Sequence, residues 1–167
     1  MVAYAGLLTA LALIFSYVEA ILPFQVGIPG VKLGIANLVV LITLYLFGAR
    51  SALLINLLRI FLAGFLFSGV FGILYSLAGG LLSLGLMVLL KKTGLFSLIG
   101  ISVAGGVMHN VGQLLTAALI IENIRVFVYF PVLLFSGIVC GIIVGTVAWL
   151  VLRRLPGNDY SSRASSR

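Results

Sequence analysis

The sequence is poor in the side chains that do chemistry. It holds one cysteine, Cys140, and one histidine, His109. One cysteine cannot close an internal disulfide, and the two residues together cannot build a multi-ligand His/Cys metal site or a bis-His haem centre. The acidic residues are Glu19, Glu122 and Asp159. Chemistry that uses Mg²⁺ to release diphosphate needs clustered carboxylates, and this chain cannot assemble such a cluster alone. No G-x-x-x-x-G-K-[ST] stretch occurs, which excludes a P-loop, and no H-E-x-x-H stretch occurs. Charged residues make up 8% of the 167 residues, against roughly 25% in an ordinary soluble domain. A soluble core of this length needs a polar shell that these few charges cannot supply.

What is present instead is hydrophobic: 63% of the residues, with a mean hydropathy of +1.35. That composition excludes a soluble domain, a disordered chain, a collagen-like fibre and a disulfide scaffold. It predicts an all-α integral membrane protein, because a spanning helix needs about 20 apolar residues. The apolar runs place six spans near 2–22, 33–47, 51–67, 70–90, 98–121 and 126–152, a six-transmembrane-helix bundle. Residues 23–32 carry two prolines and two glycines and read as a structured loop. A break is expected at Ser68-Gly69, and Pro131 falls near a helix start, where proline is tolerated. Residues 1–155 thus form one transmembrane domain, and 156–167 a polar tail expected to lack stable structure. Ala10-Leu11-Ala12 loosely matches a signal-peptidase site, but no basic segment precedes it, so the first helix is expected to be retained.

The net charge of +7 follows from ten Lys and Arg against three Asp and Glu. Its distribution favours orientation over nucleic-acid binding. With six spans and both termini cytoplasmic, Arg50, Lys91, Lys92, Arg153, Arg154, Arg163 and Arg167 fall inside, and only Lys32 and Arg125 fall outside. This obeys the positive-inside rule. Small residues at four-residue spacing, which let helices approach in lipid, occur at Gly137, Gly141 and Gly145, at Gly72, Ser76 and Gly80, and at Gly6 and Ala10.

Polar groups at membrane depth are costly and mark cavities or partners. Arg59 lies deep in the third span, with Asn56 three residues away. In the fifth span His109, Asn110 and Gln113 read as one face beside the Gly105-Gly106 pair, where missing side-chain bulk leaves room. Glu19 ends the first span, and Lys32 and Asn37 lie near the start of the second. Tyr75 and Ser76 lie in the outer half of the fourth. Glu19, Lys32, Asn37, Arg59, Tyr75, His109, Asn110 and Gln113 are therefore the candidate substrate-binding residues, gathered in one outward-facing cavity. Two cations against one carboxylate favour an anionic or zwitterionic ligand. Packing alternatives stand beside this reading: a Glu19–Lys32 rim salt bridge, a structural Arg59, and interhelical hydrogen bonds from the fifth span.

Three strings, Pro29-Gly30-Val31-Lys32-Leu33-Gly34-Ile35-Ala36-Asn37, Ile99-Gly100-Ile101-Ser102-Val103-Ala104-Gly105-Gly106 and His109-Asn110-Val111-Gly112-Gln113, resemble the Gx transporter family. That family is also labelled heptaprenyl diphosphate synthase component I. It is similar to the substrate-binding S components of energy-coupling factor (ECF) transporters. The resemblance implies a six-helix bundle in the bacterial cytoplasmic membrane, with a small vitamin-like or precursor ligand held near the outer face and no cofactor. It also implies partners, a transmembrane T subunit and two ATPase subunits, docked through small residues on the first helix, here Gly6 and Ala10. The chain lacks the aspartate-rich motifs of prenyl diphosphate synthases, so it is expected not to be an enzyme. The alternatives are an accessory subunit linked to heptaprenyl diphosphate or quinone biosynthesis, and a stand-alone channel or carrier.

Overall fold

The computed structural model of the protein describes residues 2–21 and 34–155. Lys32, the 23–32 loop and the 156–167 tail lie outside them. Every regular element among the described residues is helical: α1 (Val2–Ile21), α2 (Asn37–Leu46), α3 (Ala49–Ala63), a π-helical turn (Gly64–Ser68), α4 (Gly69–Thr93), α5 (Leu98–Ile121), a 3₁₀ segment (Ile124–Tyr129) and α6 (Phe130–Arg154). Four helical stretches are long and apolar enough to cross a membrane: residues 3–21, 48–93, 98–121 and 124–154. Many large apolar side chains on these stretches point outward. That is what a lipid-facing surface requires, and these apolar helices suggest a multi-pass membrane protein.

The 46-residue stretch is a hairpin and not one long rod. A Cβ on Gly64 would strike Ile73, and one on Gly80 would lie 3.0 Å from Asn56 and 3.2 Å from Ile60. The chain therefore reverses between α3 and α4. The reversal sits at Gly69, whose φ of 68° and ψ of −179° are open only to glycine at low cost. The fifteen residues of α3 and five of the π turn cover about 30 Å, the thickness of the hydrocarbon core.

The second span differs most from the sequence expectation. α2 has ten residues, about 15 Å, half a crossing. It is also the innermost element, with every residue from Asn37 to Leu44 buried. Its side chains anchor the main core with Ala52 of α3, Leu84 and Met87 of α4, Leu98 and Ile101 of α5, and Val144, Ala148 and Leu152 of α6. Both ends carry a complementary charge. Glu19 Oε1 accepts the Gly34 N–H just before α2, and Lys91 Nζ donates to the Leu44 carbonyl at 2.7 Å near its end. An acid at the N-terminus and a base at the C-terminus both favour the helix dipole.

The sixth span also begins later than its hydropathy implies. Residues 124–129 form a 3₁₀ segment, and α6 starts at Phe130 with Pro131 in its first turn. Proline has no N–H to donate, and the first turn is where none is needed. α5 and α6 then pack antiparallel through the expected small-residue row. Gly137 meets Gly106, Gly141 meets Val103, and Gly145 meets Ile99, all at backbone contact. α4 and α5 do the same where Gly79 meets His109 and Gly112 meets Ala78. α1 runs parallel to α3, with Tyr4 against Phe47 and Tyr17 edge-on to Phe67. Arg50, Lys91, Lys92, Arg153 and Arg154 thereby share one end of the molecule, with Trp149 beneath Arg153 and Tyr45 beneath Lys91. Glu122 and Arg125 lie at the other.

Candidate functional site

The polar residues meet at the N-terminus of α2. Arg59 lies ten residues into α3, and His109 eleven into α5, so both sit about 15–17 Å from the basic end, about half the thickness of a hydrocarbon core. The half-length of α2 brings its own first turn to that same depth. Glu19 reaches it from α1, where Oε1 also faces the Ile35 N–H at 3.4 Å.

Arg59 holds the turn from the other side. Its Nη2 donates to Asn37 Oδ1 at 3.3 Å and to Asn56 Oδ1 at 2.9 Å, and Nε donates to Asn56 Oδ1 at 3.1 Å. Asn56 is fully buried, and Arg59 is 4% exposed. Glu19 lies within Coulombic reach of Arg59. A buried guanidinium in lipid needs hydrogen-bond acceptors and a counter-charge, and this one has both. Asn56, which spacing alone marks only as a neighbour of Arg59, is its principal hydrogen-bond partner.

His109 is seated by two glycines. A Cβ on Gly34 would lie 3.2 Å from its Cδ2, and a Cβ on Gly79 would lie 2.9 Å from its Nδ1. Gly34 has φ +84°, so the turn before α2 is closed to most other residues. The neighbouring Gly80 makes room for the Asn56 amide. The Gly79-Gly80 pair thus admits one polar side chain from α5 and one from α3. Gly80 was visible in the sequence as part of a packing row, and the role of the pair as a polar seat was not.

The His109-Asn110-Gln113 row divides. Adjacent residues on a helix diverge by about 100°, so His109 and Asn110 face different neighbours. His109 turns to α2 and α4, whereas Asn110 Nδ2 donates to the Leu133 carbonyl of α6 at 2.7 Å. Gln113 is fully buried. Tyr75 lies in a separate apolar cluster with Leu114, Ala117, Val126 and Leu133, one turn beyond Gly79. Glu19, Asn37, Arg59 and His109 therefore converge on residues 34–37, with Asn110, Gln113 and Tyr75 on the far side of the cluster from the basic end. Gly6 and Ala10 lie elsewhere, exposed on α1, and no described atom comes within 4 Å of a Cβ built on Gly6.

A cavity touches this cluster from the side of the basic end. Gly34, Asn37, Ser83, Ser102 and Cys140 line it, with Gly105, Gly106 and Gly141 supplying open space. It has room for about one water molecule. Ser83 Oγ, fully buried, has no hydrogen-bond partner among the described residues. No group of three or more His, Cys, Asp or Glu side chains comes together among the described residues. The chemistry on offer is recognition: a guanidinium, a carboxylate, an imidazole and amides, held at fixed positions in an apolar surrounding.

A family model described as heptaprenyl diphosphate synthase component I matches residues 8–151. The chain belongs to the heptaprenyl diphosphate synthase component I family. Searches of curated proteins and of solved structures give no match. The matched stretch contains Glu19, Asn37, Asn56, Arg59, Gly79 and His109, so the central cluster lies wholly within the family region.

Proposed function

We propose that this protein is a non-catalytic, membrane-embedded substrate-binding subunit for uptake of a small anionic or zwitterionic molecule, energised by separate ATPase subunits. The observation that carries this reading is α2, a buried half-helix whose N-terminus opens at mid-depth beside Arg59, Glu19 and His109. Discontinuous helices whose ends meet ions or polar ligands near the midplane are a recurrent device of transporters. At this helix end Glu19 takes the Gly34 N–H and the preceding turn takes those of Asn37 and Leu38, so the adjacent guanidinium supplies the charge that an anionic group needs. Lys32, Asn110, Gln113 and Tyr75 complete the proposed contacts. The basic end faces the cytoplasm in this reading, and Gly6 and Ala10 mark the face of α1 that docks a T subunit, as in the six-helix ECF S components that the sequence resembles. In support, that face is uncovered among the described residues.

The test is purification in mild detergent, followed by mass spectrometry of co-purifying small molecules and proteins. A small polar molecule retained by the wild type and lost in Arg59→Met or His109→Ala is the expected result, together with an ATPase partner. Ligand retention unchanged by substitution of Lys32, Arg59, His109, Asn110 and Gln113 would remove the site assignment. Family membership favours a second reading: an accessory membrane subunit tied to heptaprenyl diphosphate synthesis. There a partner's synthase activity depends on this chain, and equal activity with and without it sinks that reading.

A further inference from the structure

We propose that Glu19 and His109 form a coupled proton-binding site at the turn that seats α2. The inference rests on the cluster assigned above to substrate binding, yet its test needs no substrate. Glu19 comes from α1 and His109 from α5, and both reach Gly34. The carboxylate takes the Gly34 N–H. The imidazole lies where a side chain on Gly34 would be, 3.2 Å from its Cβ position. Both side chains are more than nine-tenths shielded, at 7% and 2% exposure.

The groups that face this turn can be named element by element. α3 supplies Arg59, hydrogen-bonded to Asn37. α6 supplies Cys140, which lines the adjoining cavity and lies within Coulombic reach of Glu19. α4 supplies Gly79 and Gly80, with Tyr75 one turn away, and the one ionisable side chain of α2, Tyr45, lies at its far end under Lys91. Lys32 lies outside the described residues. Of these, a carboxyl and an imidazole are the two types whose ordinary titration falls at or below neutral pH.

Their charges are linked through Arg59. Ionised Glu19 offsets the guanidinium and accepts the Gly34 N–H. When Glu19 binds a proton, the guanidinium loses its counter-charge and the Gly34 N–H a charged acceptor. When His109 binds one, a second positive charge joins Arg59, and ionised Glu19 offsets it. Two charges that flank one residue and are this shielded from water are expected to titrate as a pair. Because the pair flanks Gly34, protonation acts directly on the turn from which α2 starts. Intramembrane Glu and His are the residue types that carry protons through pumps and transporters.

The sequence makes the test direct, because His109 is the one histidine in the chain. The full chain, purified through a tag without histidine, is labelled with ¹⁵N-histidine and placed in nanodiscs. The imidazole nitrogen shifts are followed from about pH 4 to about pH 9. A midpoint that differs between wild type and Glu19→Gln by about one pH unit or more is the expected result, with no change in Glu122→Gln. Equal midpoints in wild type and Glu19→Gln, an equal displacement in Glu122→Gln, or an imidazole that never titrates overturns the proposal. If Glu19→Gln does not fold, wild-type protein labelled with ¹³C-glutamate decides by infrared spectroscopy. A buried carboxyl band that changes over the same pH interval as the imidazole supports the pair, and one that changes over a separate interval refutes it. A negative result in either arm leaves the substrate assignment standing, since that is read from ligand retention.

Discussion

Replacing Arg59 by Met tests whether the central cluster is an electrostatic unit. The substitution keeps an unbranched apolar stem and deletes the guanidinium. It removes three hydrogen bonds, two to Asn56 Oδ1 and one to Asn37 Oδ1. At about 0.6 kcal/mol each, the average for side-chain hydrogen bonds inside membrane proteins, their loss amounts to about 2 kcal/mol. A further effect falls on Glu19, which lies within Coulombic reach of Arg59 and loses that favourable charge. Removing one member of a buried, interacting charge pair costs about 3–5 kcal/mol. The expected destabilisation is about 3–5 kcal/mol, more than the hydrogen bonds alone account for. A double-mutant cycle separates the two contributions, with unfolding followed by circular dichroism in mixed detergent micelles. Glu19→Gln added to Arg59→Met removes the carboxylate charge that the guanidinium favoured, so the double variant is less destabilised than the sum of the singles by about 1–3 kcal/mol. Additivity within about 0.5 kcal/mol would refute the reasoning, since it would mean that Glu19 and Arg59 act independently.

The same unfolding assay checks three further expectations. Gly141→Ala places a Cβ 2.5 Å from Val103 Cα and 3.0 Å from the Ser102 carbonyl; neither backbone atom can turn aside, so a loss of about 1–3 kcal/mol is expected, whereas Gly6→Ala, which meets nothing within 4 Å, stays within about 0.5 kcal/mol of wild type. Gly69→Ala forces a side chain into a conformation with positive φ and extended ψ, costing about 1–3 kcal/mol; a neutral result would place the α3–α4 reversal elsewhere. Lys91→Met removes the donor to the Leu44 carbonyl and is expected to cost about 1 kcal/mol, while Lys92→Met, exposed on the next residue, is silent; equal effects would deny Lys91 its role at the end of α2.

Much of the architecture is one-dimensional information, and the sequence carried it. Hydropathy and the scarcity of charge determined a helical membrane protein, because lipid leaves the backbone few other ways to satisfy its hydrogen bonds. α5 runs over 98–121 as its apolar run predicted, and the chain reverses at Ser68-Gly69, where glycine permits what other residues resist. The basic residues gather at one end because antiparallel packing of α3 to α6 returns each basic helix terminus to the same side. The four-residue spacing of Gly137, Gly141 and Gly145 was likewise readable as a packing face, though not as a face for α5 in particular.

Other features depended on which helix meets which. Hydropathy reads a buried half-helix and a short span alike, so only packing showed that α2 stops halfway and lies at the centre. Helical periodicity says which way a side chain points, not what it meets. Thus His109 and Asn110, adjacent in sequence, separate toward α2 and α6, whereas Glu19, Arg59 and His109, far apart in sequence, converge on residues 34–37. The glycines on α4 and at the turn decide this, because only where a side chain is missing can a polar group from a neighbouring helix approach the backbone. The sequence determined which polar residues must be accommodated inside the membrane, and the tertiary structure decided that they share one place.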